Sequence, residues 1–595
     1  MPPRRLPYSG TSRKLVLAFD IGTTFSGISY SILDPAQVPE IKGVTRFPAQ
    51  ERVGGASKIP TIVYYDQEGR VRAVGAEATR DSIRDTIEDE GWVKAEWFKL
   101  HMRPRAIYGE NASNEIPPLP PGKTVVDIFA DFMRYLYTCA KTFIQESHPN
   151  GVTLWSTLER NIDYVLSHPN GWHGAQQQQM RRAAVLASLI PDTMEGQSRI
   201  RLVTEGEASL HFCIQQGLTA EALQTGGGVL IVDAGGGTVD LSAYGQAPNG
   251  AFEEITVGEC HLQGSVYVTN RAQRFLKGFL AGSRFYDDIE AMKTYFDQSA
   301  KLTFANVNDP LFITFGGARD RDQRLRIRGG QIRLNGDEVA TFFDPSVACI
   351  VQAVLSQCSA SRKPISSVFL VGGFSASEYL FSQLRAALEP RNLSICRPDT
   401  HLNKAVADGA VSFYLDHSVT TRVSKFPYGV PCSVKYDPGN AEHASRASLV
   451  RLNTVEGIRY LDNMFSTLLY KNVQTSEIQE FRRSYYETAN SPAELSHVST
   501  SILCYRGSLD RPQWRDVDSD KFAISCYIRA DTSSLVPTRI TRFNAGSLLP
   551  HVYYRIDFDI VLIFGLTELK AQIAWIENEK EKRGLATIVH VEDGE

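Results

Sequence analysis

The sequence predicts a duplicated, two-lobed α/β fold followed by a smaller β-rich domain, and three stretches carry that prediction. Residues 229–240, Val-Leu-Ile-Val-Asp-Ala-Gly-Gly-Gly-Thr-Val-Asp, read as a buried strand, a glycine turn and a returning strand. Residues 16–30, Val-Leu-Ala-Phe-Asp-Ile-Gly-Thr-Thr-Phe-Ser-Gly-Ile-Ser-Tyr, repeat that plan about 200 residues earlier. Far downstream, His551 to Phe564 alternates Val552, Tyr554, Ile556, Phe558 and Ile560, the pattern of a half-buried strand.

In the later copy, Asp233 ends the strand and Gly235, Gly236 and Gly237 make a turn that no side chain obstructs. Thr238 opens a second strand whose alternation, Val239, Leu241, Ala243, predicts a hairpin. The earlier copy has Asp20, then Gly22 with Thr23 and Thr24. Backbone N–H groups in such turns close on an anion, and flanking carboxylates hold a hydrated metal. For one loop, an unliganded glycine turn is an equal alternative. Two copies imply two related lobes with a nucleotide gripped between them.

The chain has 595 residues and a net charge of −4, so nothing demands nucleic acid or an anionic membrane as a partner. Its 43% hydrophobic and 22% charged residues are those of an ordinary globular protein. Nine scattered cysteines without a Cys-x-x-Cys pair point to reduced thiols, hence a cytoplasmic or nuclear setting. The start, Met-Pro-Pro-Arg-Arg-Leu-Pro, lacks the apolar core of a secretory signal, and no apolar run approaches the roughly 20 residues of a bilayer span.

Asp-Ile-Gly-Thr-Thr-Phe-Ser at 20–26 and Asp-Ala-Gly-Gly-Gly-Thr-Val-Asp at 233–240 resemble the first and second phosphate motifs of the 70-kDa heat-shock protein family, within the actin-like ATPase superfamily of ribonuclease H-like fold. Ser367-Val368-Phe369-Leu370-Val371-Gly372-Gly373-Phe374-Ser375 is similar to that family's adenosine motif, and Asn403-Lys404-Ala405-Val406-Ala407-Asp408-Gly409-Ala410 to its closing helix. By this resemblance Asp20 and Asp233 hold Mg2+ through water. The backbone of Gly22, Thr23, Thr24 and Phe25, and of Gly235, Gly236, Gly237 and Thr238, cradles the phosphates of ATP or ADP. Glu205 and Asp240 position the attacking water with Asp233, and Gly372, Gly373, Phe374 and Lys301 face the nucleoside. Glu205, in Val203-Thr204-Glu205-Gly206-Glu207, is the first candidate on motif register, with Glu207 as competitor; either also suits a helix N-terminus.

The departures are specific. Gly75-Ala76-Glu77-Ala78 resembles the family's cleft stretch, but Thr79 stands where the family has a phosphate-contacting lysine, with Arg80 one place later. Threonine cannot neutralise a transferring phosphoryl group, and Arg80 reads as a solvated arginine. Gln298 and Leu302 replace the acidic and arginine partners that flank the adenine-binding lysine, and Phe374 and Ala376 replace polar residues of the adenosine motif.

The connecting elements follow from local pattern. Ile59 to Tyr65 reads as a proline-containing strand. Thr124 caps an amphipathic helix with Val125, Phe129, Phe132, Leu136, Ala140 and Phe143 on one face. Ile162 to Leu166 is a strand before His168-Pro169-Asn170-Gly171-Trp172-His173; a metal pair from His168 and His173 has no further ligands to complete it. Gln176 to Ile190 is a helix stopped by Pro191, residues 285–305 are helical, and Ser375 with Glu378 forms a capping box. Leu569, Ala571, Ile573 and Trp575 alternate as a strand, and the polar stretch Glu577 to Gly584 turns back into Ala586 to Val591.

The expected organisation is a disordered arm over 1–13 and a nucleotide-binding domain over 14–415, with lobes of about 14–205 and 206–415. A β-rich domain over 416–595 follows, a reduced substrate-binding sandwich with no helical lid. This pattern is similar to the lid-less heat shock 70 kDa protein 12 branch. The implied function is an ATP-binding, chaperone-like protein with weak Mg2+-dependent hydrolysis and protein clients or co-chaperones as partners. A nucleotide-gated scaffold without hydrolysis is the alternative, and a small-molecule kinase of the same superfold a more distant one.

Overall fold

The structure is a computed structural model that describes residues 5–50, 57–103, 116–172, 174–222, 227–398, 404–542, 550–565, 568–585 and 587–588. Contacts divide the chain into two units, residues 1–172 with 176–419 and residues 173–175 with 420–595.

The first unit is built twice on one plan. Strands β1 (Lys14–Ile21) and β2 (Phe25–Leu33) pair antiparallel, with Asp20 opposite Gly27. Helix α1 (Val125–Ser147), strand β3 (Ile162–His168), helix α2 (Gly174–Leu186), strand β4 (Ile200–Thr204) and helix α3 (Glu205–Gln215) come next. β3 lies parallel to β1 and β4 parallel to β3, giving the order β2-β1-β3-β4.

The second half opens on the hairpin of β5 (Gly228–Ala234) and β6 (Val239–Gln246). Then come β7 (Glu259–His261), α4 (Ser265–Phe279), α5 (Gly336–Ala360), β8 (Ile365–Val371), α6 (Glu378–Leu388), β9 (Ser394–Cys396) and α7 (Ala405–Asp416). Its central strands run β6-β5-β8-β9, again a hairpin flanked by two parallel strands. This duplication is the actin-like ATPase fold.

Each half has its own core. In the first, Leu15, Leu17 and Phe19 of β1 meet Phe129, Phe132 and Leu136 of α1, whose start is fixed by a capping box between Thr124 and Asp127. In the second, Leu230 and Val232 of β5 meet Phe343, Ile350 and Val354 of α5. Helix α5 is long and apolar enough to cross a bilayer, contrary to the expectation of no such run, but its Val339, Phe342 and Phe343 are buried in this core. The nine cysteines are all free.

Several boundaries differ from expectation. Helix α2 closes at Leu186, short of Pro191, and the segment 285–305 breaks into a 3-10 turn, a short α-helix and a π-helical turn, Phe296–Ala300. Ser377, not Ser375, caps α6 by accepting the Leu380 N–H, while Ser375 donates to the Gly372 carbonyl inside a 3-10 turn. In the arm, Arg5 pairs with Asp416 at 2.9 Å and the Tyr8 N–H donates to the Gln37 carbonyl.

The second unit holds ten labelled strands: β10 (Tyr428–Lys435), β11 (Val450–Asn453), β12 (Ile458–Leu469), β13 (Glu480–Ala489), β14 (His497–Tyr505), β15 (Phe522–Asp531), β16 (Thr538–Arg542), β17 (His551–Gly565), β18 (Glu568–Glu577) and β19 (Lys580–Arg583). One sheet runs β11-β12-β10-β14-β15 and the other β13-β17-β18-β19, with β16 also on β17. Val430, Ile502 and Ile528 of the first sheet share a core with Ile556, Ile560, Leu562 and Ile573 of the second, the packing of a β-sandwich. Of the expected last strand 586–591, Thr587–Ile588 pairs with β18 and the remainder falls outside the described residues.

Helices α3 and α7 cross closely in the first unit. A Cβ at Gly409 of α7 would overlap the Ala208 carbonyl of α3, so glycine is required by space rather than by backbone angle. Gly409→Ala is expected to destabilise by about 1–3 kcal/mol through overpacking. Gly278→Ala in α4, where a Cβ meets nothing, is expected to stabilise by a few tenths to about 1 kcal/mol. Urea midpoints of the two variants check the pair.

Candidate functional site

The site grows from the ends of four strands. Asp20 lies at the C-terminal end of β1, Asp233 at that of β5, Asp240 at the start of β6, and Glu205 directly after β4. All four are buried. Ser167 of β3 donates to Asp20 Oδ1 at 3.2 Å, Ser209 of α3 to Asp233 Oδ2 at 2.9 Å, and the Asn170 N–H to Asp240 Oδ1 at 2.6 Å. Asp240 Oδ2 is buried without a hydrogen-bond partner. Thr204 caps α3 by accepting the Glu207 N–H, which fixes Glu205 at the helix start.

Electrostatics confirm that the four converge. Burial, then repulsion from Asp240, pushes Asp233 up to about 7. Burial raises Glu205 as well, with Asp240, Asp233 and Asp20 adding to it against the opposing pull of Lys99. Asp240 is raised by burial too.

A buried cation sits among them, Lys99, which spacing along the sequence did not single out. Its ammonium, buried like its partner, donates to Glu205 Oε1 and lies 5.6 Å from the Trp172 ring. Burial works against its charge, but Glu205, Asp20 and Asp240 together outweigh that and raise its pKa. The segment 97–100 explains the placement. Trp97 takes a left-handed conformation after the strand Val93–Glu96 and starts a 3-10 turn, Phe98–Met102. Phe98 anchors that turn edge-on against Phe129 and Phe132 of α1, at 5.2 and 5.9 Å. A lysine set between Phe98 and Leu100 was the available signal, since lysine is rarely buried unless paired. Thr79 and Arg80, at the position where the resemblance puts a lysine, are exposed, and Thr79 Oγ1 turns back to the Ala76 carbonyl.

The two glycine–threonine turns face each other directly. A Cβ on Gly236 would strike Thr24, and one on Gly237 would strike Thr23 and Leu100. The N–H groups of Ser265, Val266 and Gly264 bond the carbonyls of Gly235, Gly236 and Gly237 at 3.1, 2.9 and 3.2 Å, so the start of α4 fixes the second turn. A cavity of about 10 Å³, room for one water, is bounded by Thr23, Lys99, Trp172 and Thr238. Gly22 is confined by the Phe25 carbonyl, and the Phe25 ring is exposed.

The nucleoside residues divide. Gly372, at φ +84°, packs against Asp233, and a Cβ on Gly373 would meet nothing within 4 Å. Phe374, by contrast, is buried 6.2 Å from the Phe343 ring in the core of the second half. Lys301 does not join the carboxylates. It pairs with Asp297 at 2.6 Å and bonds Thr269 and the Ser265 carbonyl of α4. Its acidic partner is therefore Asp297, at i,i+4 spacing, rather than anything at Gln298.

The donor set fits a hydrated magnesium and a polyphosphate: hard carboxylate oxygens, one of them orphaned, beside two small-residue turns. Among the described residues no three His, Cys, Asp or Glu side chains form a group that could by themselves hold a metal ion. His173, the other member of the expected pair, lies outside the described residues, and the His168 ring bonds the Pro169 carbonyl at 2.9 Å and Gln177 at 3.1 Å.

No protein-family model matches the chain. It is 25% identical to human heat shock 70 kDa protein 12B over 81% of this chain and 80% of that protein. It is 23% identical to human heat shock 70 kDa protein 12A over 95% of this chain and 90% of that protein, and 22% identical to the mouse form. The chain is a divergent 70-kDa heat-shock-like protein. In this heat-shock-like chain the buried lysine of the cleft is Lys99, paired with Glu205, while Thr79 holds the position where the resemblance expects a lysine.

Behind the site, burial lowers the His168 pKa to about 4, with Lys99 adding to the effect. The folded state holds this ring neutral while the unfolded chain protonates it near 6.5. Its contribution is therefore present above pH 6.5 and is lost as pH falls towards 4, up to about 3 kcal/mol. His168→Gln is expected to flatten that part of the stability–pH curve, measured by denaturant unfolding between pH 7 and 4.5.

Proposed function

We propose that this chain binds ATP or ADP with Mg2+ between the two halves of its first unit and hydrolyses ATP slowly, as the nucleotide engine of a chaperone-like protein. The observation that carries the reading is Lys99, buried among Asp20, Glu205 and Asp240 where the two glycine–threonine turns meet.

Asp20 and Asp233 would hold magnesium through water, and the backbone of 22–25 and 235–238 would cradle the phosphates. Magnesium, when bound, supplies neutralisation of phosphate charge. Glu205 and Asp240, both acceptors, orient the attacking water, while Lys99 offsets charge on the transferring phosphoryl group. Catalysis of this kind is chiefly positioning and electrostatics. On this reading the halves would part to admit a polyphosphate and close on it, which the facing turns and the small cavity beside them support. Gly373 provides the open approach for the nucleoside, with Lys301 holding α4 behind the second turn. Lys99 favours hydrolysis over a scaffold that binds without cleaving. Protein clients or co-chaperones read by the sandwich unit, in cytoplasm or nucleus, complete the proposal.

Lys99→Met is expected to lower single-turnover ATP cleavage by about 10²–10³-fold, the cost of losing one charge-stabilising donor. Asp233→Asn is expected to abolish the Mg2+-dependent cleavage of bound ATP. Cleavage unchanged by Lys99→Met in a folded protein would remove Lys99 from the mechanism. Bound but uncleaved ATP in the wild type would return the reading to a scaffold.

A further inference from the structure

A second lysine stands at the cleft, and the proposed chemistry leaves it without a role. Lys58 Nζ donates to Asp20 Oδ2 at 2.6 Å, on the oxygen that Ser167 leaves open. Asp20 is the carboxylate that a hydrated magnesium would share. The approach is built into the ladder. The strand Ile59–Pro60 pairs with β2 through Ser26 and Phe25, which places Lys58 beside Gly27. Gly27 is the residue directly opposite Asp20. A Cβ on Gly27 would stand 3.2 Å from Lys58 Cγ, so the lysine stem crosses a bare backbone to reach its partner. Lys58 also lowers the cost of ionising Asp233 on the other half.

We propose that the Lys58 ammonium is a built-in counter-cation for Asp20, so that this cleft holds a nucleoside polyphosphate with little dependence on a divalent metal. The inference rests on the nucleotide reading above. An ammonium has three donors and no acceptor. One stays on Asp20 and another is free to meet a phosphate oxygen, which is the bridge that a hydrated divalent ion makes between carboxylate and phosphate. The side chain is 18% exposed, enough to turn towards an entering anion without losing the glycine channel for its stem. With Lys99 on Glu205, the four buried carboxylates are opposed by two fixed ammonium groups before any metal arrives.

The test is calorimetric binding of a non-hydrolysable ATP analogue to the full chain, in excess Mg2+ and in chelator. The wild type is expected to weaken less than about tenfold on chelation, whereas Lys58→Met is expected to weaken about a hundredfold, the worth of a charged hydrogen bond. Lys58→Arg is expected to behave as the wild type, which separates charge from packing. A wild type that loses binding on chelation as severely as Lys58→Met would overturn the role of Lys58 while leaving the nucleotide site intact. A wild type that binds the analogue in neither condition would overturn the nucleotide reading, and this inference with it.

Discussion

Four buried carboxylates that repel one another set the terms for the first unit. Asp20, Glu205, Asp233 and Asp240 come from different strands, yet the fold brings them within each other's field, and Glu205 and Asp233 are both pushed above the ordinary carboxylate range. Such a cluster is costly unless cations and donors are arranged to meet it. Ser167, Ser209 and the Asn170 N–H each supply a donor, and two lysines supply charge. Lys58 and Lys99 arrive on segments inserted between the first hairpin and α1, and those segments are held by the packing of Ile59 and Phe98 in the core as well as by these charges.

Duplication explains how the carboxylates meet. In each half a hairpin leads through helix, parallel strand, helix, parallel strand and helix, so the aspartates at the ends of β1 and β5 occupy matching positions. The halves differ in the segment inserted after the hairpin. In the first, that segment delivers Lys99 on a 3-10 turn. In the second it delivers β7 and α4, whose first N–H groups bond the carbonyls of Gly235 to Gly237. The symmetry thus places two acidic ends face to face, and the insertions make one half cationic and the other rigid.

How much of this was legible depended on distance along the chain. The hairpins, the capped helix α1 and the strand β8 are local patterns, and glycine turns between apolar strands announce themselves. Lys99 is not local. It reaches Glu205 across 106 residues, and its setting depends on a left-handed Trp97 that no periodicity reveals. The family register pointed to Thr79, whose side chain closes on its own turn. The same limit applies to Lys301. The family register expects an acid at 298, but the lysine pairs with Asp297, four residues back along the chain. Ser375 and Ser377 were separable only by the 3-10 turn between Gly373 and Ala376, since both precede a helix by a plausible margin.

Lys301 also connects the two sides of the site. Its ammonium bonds the Ser265 carbonyl and Thr269, while the Ser265 N–H bonds the Gly235 carbonyl, so one turn of α4 joins the nucleoside-side lysine to the second phosphate turn. Gly237 in that turn presses on Thr23 and Leu100, the neighbour of Lys99. A shift of the Lys301 ammonium would therefore act on the turn facing Lys99 through one side-chain bond to Ser265 and the backbone bond from Ser265 to Gly235. Backbone bonds transmit position better than side-chain contacts do, because each fixes a direction as well as a distance. The hold of Lys301 on α4 then bears on how firmly the second turn is kept in place.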